Sequence, residues 1–314
     1  MNNIKLNQTW NDFERTCLHK SPYDLQIWKE IWLNHFSEGY DFAYIKNSNF
    51  FIPIKYRNSE ASIIGDKDIV DYNNILHMEY TRNDFEDLIN QIFNLDINKL
   101  ILYSISDDSP TFKFLTNEKI LDNYSINSQQ EDVSPYLSLP NSWDEYLALL
   151  PKKKRHELRR KIRRLEQNSD FSSGDLSTLE YKDEILGEFF RLHKISSDEK
   201  NLFMTPKMEQ FFTELIIKML EENSLAYSYL KIDNKTAACS ISFLHQNSRF
   251  LYNSGFDPSY NNFSSGLLNH AFAIKRSIEN KLTVFDFMRG NERYKYDLGA
   301  VDKILYTFEI SKND

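Results

Sequence analysis

At 314 residues, 41% hydrophobic and 27% charged, the chain has a globular composition and is longer than one hydrophobic core ordinarily supports, which argues against long disorder and for two domains. Two distant cysteines, Cys17 and Cys239, give neither a disulfide framework nor metal-ligand spacing. No segment approaches the roughly 18 uninterrupted apolar residues of a membrane span, and the start lacks a signal-like apolar run, so a soluble protein of a reducing, cytoplasmic compartment is expected. The net charge of −8 hides an asymmetry: residues 152–164 carry nine Lys or Arg and one Glu, a local +8 on a body of −16, which suits one phosphate-bearing ligand better than a long polyanion.

In chain order, apolar residues at intervals of three to five (Trp10, Phe13, Cys17, then Ile27, Ile31, Phe36) predict helix over 10–40, broken at Ser21-Pro22. Strands are predicted at Asp41–Lys46 and Phe50–Tyr56, joined by Asn47-Ser48-Asn49, and at Ala61–Ile64. Gly65 opens an acidic loop around Asp66, Asp68 and Asp71. Phe85–Phe93 then reads as an amphipathic helix and Lys99–Ser104 as a buried strand, so the first half is mixed α/β.

A second unit begins near Pro140, giving expected domains 1–138 and 139–314. Ser142-Trp143-Asp144-Glu145 has capping-box form, and Pro151 restarts a helix with Leu158, Ile162 and Leu165 on one face and basic residues on the other. Helices follow at 184–196 and 207–222, then strands at Leu225–Ile232, Thr236–Leu244 and Ser248–Ser254, with a hairpin at Asp233-Asn234-Lys235. A polar loop ending in Ser264-Ser265-Gly266 opens a helix whose Leu267, Ala271, Ile274 and Ile278 share a face, and a strand at Thr283–Met288 follows. Both halves share one order of helices, meander, helix and strand, the pattern of a duplicated α/β domain.

Three segments carry chemistry. Asp286 to Ala300 packs two arginines, a glutamate, a lysine and two tyrosines into a loop after a strand, where function commonly sits; a surface salt-bridge network is the plain alternative. Ser264-Ser265-Gly266-Leu267 supplies free amides at a helix start, suited to a pyrophosphate, although any capped helix has such amides. The basic helix 152–164 is open to three readings: a solvated face, capture of a phosphate on CoA, a nucleotide-sugar or a lipid-linked substrate, or contact with RNA or an anionic membrane. His193, Cys239, Tyr72 and Tyr252 read first as packed residues.

Trp143 with Tyr146-Leu147, the run Lys152–Arg164, Leu192-His193, Phe256-Asp257-Pro258, Gly266-Leu267-Leu268 and above all Asp286-Phe287-Met288-Arg289-Gly290 with Glu292 and Tyr294-Lys295 resemble the BioF2-like (CelD-like) acetyltransferases of the GNAT superfamily, relatives of the FemAB peptidyltransferases. Gly65-Asp66 with Asp71-Tyr72 resembles that family's first domain. Asn291 and Asn74 stand where relatives commonly carry an acid, and the superfamily's glycine-rich pyrophosphate signature is absent.

The resemblance implies tandem GNAT-like α/β (α+β) domains, each a mixed, mainly antiparallel sheet flanked by helices. The second would hold acetyl-CoA or another acyl-CoA between splayed strands Arg249–Ser254 and Thr283–Met288, contacting Asn253, Ser254, Ser264, Ser265, Gly266 and Leu267. An amine acceptor, such as an amino sugar of a cell-surface polysaccharide, would attack directly. A strand amide near Asn253 or Ser254 would form an oxyanion hole, Glu292 is the first choice of base, Asp286 would orient Arg289 or Lys295, and a tyrosine such as Tyr294 would protonate the thiolate. The alternatives are a FemAB-type transferase using aminoacyl-tRNA and a non-catalytic domain binding an anionic partner through 152–164.

Overall fold

The computed structural model describes residues 8–17, 21–78, 82–117 and 123–313. Packing divides the chain into two units, Met1–Val133 with Lys303–Asp314, and Ser134–Asp302. The first unit runs α1 (Gln8–Thr16), α2 (Gln26–Phe36), β1 (Asp41–Lys46), β2 (Phe50–Arg57), β3 (Glu60–Ile63), β4 (Leu76–His77), α3 (Arg82–Phe93), β5 (Lys99–Ser106), α4 (Pro110–Leu115) and the start of β6 (Tyr124–Ser138). Residues 18–20, inside the predicted helical stretch, lie outside the described residues. The second unit takes the end of β6 and then α5 (Trp143–Leu149), α6 (Lys152–Asn168), β7 (Phe171–Leu176), α7 (Lys182–Ser196), α8 (Asp198–Phe203), α9 (Pro206–Glu221), β8 (Leu225–Ile232), β9 (Lys235–His245), β10 (Ser248–Phe256), α10 (Ser265–Glu279), β11 (Val284–Asp286) and α11 (Arg293–Asp297). The last strand, β12 (Val301–Lys312), pairs antiparallel with β5, which is why residues 303–314 group with the first unit although they follow the second in sequence.

Each unit is built around a mixed, mainly antiparallel sheet. In the first, β1, β2 and β3 are successive antiparallel neighbours and β5 lies parallel to β3, with Glu60↔Lys99 and Ser62↔Ile101 in register. In the second, β7 to β10 are antiparallel and β11 lies parallel to β10, with residues 134–138 of β6 antiparallel on its far side. Both units therefore follow the same order, meander, helix, then a strand parallel to the third, as the sequence pattern implies. The two-residue turns Asn58-Ser59, Asp233-Asn234 and Gln246-Asn247 all sit at positive φ, the twist that joins adjacent antiparallel strands tightly and fixes their register.

The cores follow the predicted faces. Phe85 and Phe114 stack in the core of the first unit with Phe50 edge-on to both, and Leu268, Ala271, Ile274 and Ile278 of α10 line that of the second. Every residue of β9 from Thr236 to Phe243 is buried, so both faces of the sheet are covered there; α10 packs on β8 and β9, and α7 on β9 and β10. Four strands stand outside the sequence expectations: β4, β6, β7 and β12, the last in spite of its alternating Ile304, Tyr306, Phe308 and Ile310. β6 is mostly polar and exposed through its middle, and β7 is half-buried throughout, so neither has the apolar alternation that marks a strand.

The contact of α7 with β10 is closest at Gly255. A Cβ there would lie 2.4 Å from the His193 backbone nitrogen and 2.5 Å from the Leu192 carbonyl carbon, so only glycine lets helix and strand meet at this spacing. Gly255→Ala should lower unfolding stability by about 3 kcal/mol, because backbone and not a pliable side chain must move. Urea unfolding measures this, and a loss below about 1 kcal/mol would mean that α7 yields freely.

Candidate functional site

β10 and β11 run side by side only from Ser248↔Val284 to Phe250↔Asp286. Beyond that point β10 continues to Phe256, whereas β11 ends and the chain turns into the Asp286 loop. The parallel pair thus opens into a splay, and the backbone of β10 facing it has lost its strand partner. A bulge in the β9–β10 ladder between Leu251 and Asn253 lies at the same level. At Ser254 the lost bonds are replaced locally: its N–H donates to Asn253 Oδ1 at 2.9 Å, and its carbonyl accepts from Lys200 Nζ of α8 at 2.5 Å.

The Asp286 loop is held from inside by two charged groups. The Asp286 carboxylate, fully buried, accepts from the Met288 N–H at 2.8 Å and from Ser134 Oγ at 3.4 Å. Met288 itself lies in left-handed backbone conformation at φ 61°, an uncommon state for a non-glycine residue. The buried ammonium of Lys295 donates to the carbonyls of Met288, Arg289 and Gly290 at 2.9, 2.7 and 2.9 Å, and pairs with Glu292 Oε2 at 2.9 Å. Gly290 adopts φ 106°, and a Cβ there would meet Glu292 Oε2 at 2.6 Å. This leaves Glu292 as an exposed carboxylate, its side chain 58% accessible, fixed over the loop by a buried lysine.

At the start of α10 the first intrahelical bond runs from Leu268 N–H to the Ser264 carbonyl, so the amides of Ser265, Gly266 and Leu267 precede any intrahelical acceptor. Ser264 occupies the left-handed region at φ 56°, and its hydroxyl lies 2.5 Å from Lys161 Nζ on the basic helix α6. Ser265 Oγ is buried and has no hydrogen-bond partner among the described residues. Three amides without an intrahelical acceptor, a hydroxyl without a partner and a lysine therefore gather at the start of one helix, chemistry suited to a phosphate group. α6 otherwise turns Lys152, Lys153, His156, Arg159, Arg160, Arg163 and Arg164 to solvent, while Leu158 and Leu165 are buried.

Residues 152–296 match a family model described as an acetyltransferase (GNAT) domain, a segment that holds α6, the splay, the α10 start and the Asp286 loop. No curated protein matches the chain. Among solved structures the chain is similar to FemX, at 9% identity and a TM-score of 0.66 over 95% of each chain. It is also similar to a conserved protein of unknown function from Bacteroides thetaiotaomicron (12% identity, TM-score 0.63, 91% of this chain and 90% of that one) and to L-PGS from Bacillus licheniformis (11%, 0.60, 98% and 92%). The fold is GNAT-like. At these identities the likeness to solved structures concerns architecture alone.

Within this GNAT-like frame the sequence-predicted residues fall into three places. Asp286, Arg289, Glu292, Tyr294 and Lys295 form the loop and the helix after it; Asn253 and Ser254 lie on the open edge of β10; Ser264 to Leu267 form the start of α10. Tyr294 stacks on His270 with ring centres 5.0 Å apart, and burial pushes its hydroxyl well above the usual tyrosine range. Arg289 is half-exposed, and Asn291 is exposed. Cys239 is a buried strand residue whose thiol burial pushes up to about 12. Among the described residues no group of three or more His, Cys, Asp or Glu is placed to hold a metal ion.

Sequence reasoning did not find Lys200 or His270. Lys200 sits in an ordinary capped helix, where Ser197 Oγ accepts from its N–H at 3.3 Å, and nothing local marks its side chain as different. His270 hides among apolar helix residues. Burial, aided by Lys200, Lys295 and Arg249, lowers it to about 3; burial and then Lys200 lower His193, on α7, to about 4, against a hydrogen bond that its ring donates to Asn253. Both rings are therefore neutral in the folded protein.

Because each folded value lies below the ordinary 6.5, the two histidines' contribution is complete above that pH and is lost as pH falls through the interval towards 4 and 3. Stability should drop by about 2 kcal/mol per histidine between pH 7 and pH 5. Urea unfolding of the wild type and His270→Asn at the two pH values should show a smaller pH difference in the variant; equal differences would contradict the neutral, buried ring.

Proposed function

We propose that this protein is an acyl-CoA-dependent N-acyltransferase of GNAT type, of the BioF2-like (CelD-like) group, that transfers an acetyl or other acyl group to an amine. The observation that carries the reading is the opening of the β10/β11 pair beyond Phe250↔Asp286, with the free amides of α10 at the end of β10, where Gly266 lies against the Phe256 side chain. A thioester arm has an extended backbone edge to lie along, and its pyrophosphate a place among the Ser265, Gly266 and Leu267 amides, Ser265 Oγ and Lys161.

Acyl-CoA supplies an activated carbonyl, and the protein's own residues do the rest. Glu292, exposed at the rim of the loop, accepts the proton that the attacking amine sheds. Lys295 is spent on three carbonyls and on Glu292, so its role is to hold the base in place. Asp286 shapes the turn that carries Arg289 and Gly290. Burial keeps Tyr294 protonated and also makes it a weaker acid than a thiol, so the leaving thiolate takes the proton that Glu292 received. The acceptor we favour is an amino sugar of a surface glycan, modified in the cytoplasm, where the buried free thiols of Cys17 and Cys239 stay reduced.

Calorimetry should detect CoA with a dissociation constant in the micromolar range, and Lys161→Ala should weaken it about tenfold. With a panel of amines, thiol release from acetyl-CoA should identify the acceptor class, and Glu292→Gln should lower kcat about 100-fold with unchanged folding. Absence of both CoA binding and thiol release would refute the reading.

One observation favours a second reading, a FemAB-type transferase that takes an amino acid from charged tRNA: the exposed basic face of α6. Under that reading tRNA binds with an affinity that falls steeply with salt, and Arg159→Ala with Arg163→Ala reduces the slope by about 2. A flat salt dependence would remove it.

A further inference from the structure

We propose that Lys200, and not the Ser254 amide, is the group that holds the negative charge developing on the donor carbonyl. This rests on the acyl-transfer reading and refines it. The backbone of Ser254 faces the splay, where a thioester lying along β10 would place its carbonyl. The Ser254 N–H is already engaged at 2.9 Å by Asn253 Oδ1, and Asn253 is in turn tied to His193, which the close fit at Gly255 keeps in place. An oxyanion would have to break that bond to use the amide. The Lys200 ammonium lies at the same residue, 2.5 Å from the Ser254 carbonyl, with a single hydrogen bond from its Nζ among the described residues. Two of its three protons are available to a second acceptor.

The neighbourhood supports the assignment. Cys239 of β9, Glu292 of the Asp286 loop and Glu199 of its own helix act on Lys200 electrostatically, and Lys200 in turn acts on His193 of α7 and His270 of α10. Glu292, the proposed base, thus lies within electrostatic reach of the proposed oxyanion donor. Burial holds the Lys200 amine below the usual lysine value, with the acidic neighbours pulling the other way. Both histidines are neutral, and Lys295 is held on three carbonyls and Glu292, which leaves Lys200 as the cation beside Ser254.

The step balances as follows. The acceptor nitrogen forms a bond to the thioester carbonyl carbon, and the carbonyl π pair moves to oxygen, where two Lys200 N–H groups hold it without giving up a proton. The pair returns as the C–S bond breaks. The proton shed by nitrogen goes to Glu292 and is passed from it to the departing thiolate, so the products are an amide and a thiol and Glu292 returns to its carboxylate.

The experiment compares wild type, Lys200→Met, Lys200→Gln and Lys200→Arg by CoA calorimetry and by the pH dependence of kcat with acetyl-CoA. The expected result is a kcat loss of about 100- to 1,000-fold in Lys200→Met and Lys200→Gln, with CoA affinity within about twofold. Lys200→Arg should recover at least about tenfold of that loss, and should move the alkaline fall of kcat to higher pH, since arginine keeps its proton. A role confined to bracing β10 would change affinity or stability and leave that alkaline fall where it was. If the wild type releases thiol and the neutral variants keep kcat within about threefold, or the alkaline fall does not move, Lys200 is not the oxyanion donor, although the acyl-transfer reading stands. If the wild type neither binds CoA nor releases thiol, that reading fails and takes the assignment with it.

Discussion

A parallel strand pair that opens leaves backbone N–H and C=O groups without partners, and the second unit is organised around that constraint. Buried polar groups must be satisfied, by the protein or by something it binds. After Phe250↔Asp286, β10 loses its neighbour, and Asn253 and Lys200 at Ser254, with Ser196 of α7 at Phe256, supply the hydrogen bonds that β11 no longer does. The same opening leaves room for an extended ligand to complete the edge. Fold and candidate chemistry therefore share one cause.

The Asp286 loop shows how far a polar cluster can be structural and functional together. Its densest chemistry is turned inward: Asp286 and Lys295 are buried, and between them they bind the Met288 N–H and three consecutive carbonyls. Removing either group would leave buried charge or unpaired backbone, which is costly in a low-dielectric interior. The consequence is a turn that presents Glu292 outward, with Gly290 at φ 106°, a conformation that strains any residue with a side chain.

The first unit contains the same strand geometry. There β3 and β5 pair in parallel from Glu60↔Lys99 to Ser62↔Ile101, and a lysine again donates to the carbonyl just beyond, Lys29 Nζ to Ile64 O at 2.6 Å. Lys29 is 1% exposed, shares its pocket with Asp24 and Asn73, and burial lowers it to about 8. Asn74 donates to the Asp24 carboxylate at 3.2 Å through its backbone and 3.3 Å through its side chain, so an acid at 74 would set two carboxylates together. A lysine at a parting strand pair is thus sealed in the first unit and reachable in the second. Burial, not topology, separates the two.

The sequence by itself determined the alternation of meander, helix and strand in both halves, the paired turn residues, the basic helix and the polar loop, because periodicity and turn chemistry are local. It did not determine β6 or β7, whose strands draw their stability from neighbours distant in sequence and carry too few apolar residues to announce themselves; β12 does alternate, with Ile304, Tyr306, Phe308 and Ile310 at every second position. It marked Glu292 and Lys295 alike as polar. Only the tertiary structure divided them, burying one among three carbonyls and leaving the other in solvent. It also brought Lys200 from a plain capped helix, and Lys161 from the basic run, to Ser254 and Ser264, contacts 54 and 103 residues apart in sequence. Local pattern carries no record of such distances; packing decides which charge meets which backbone group.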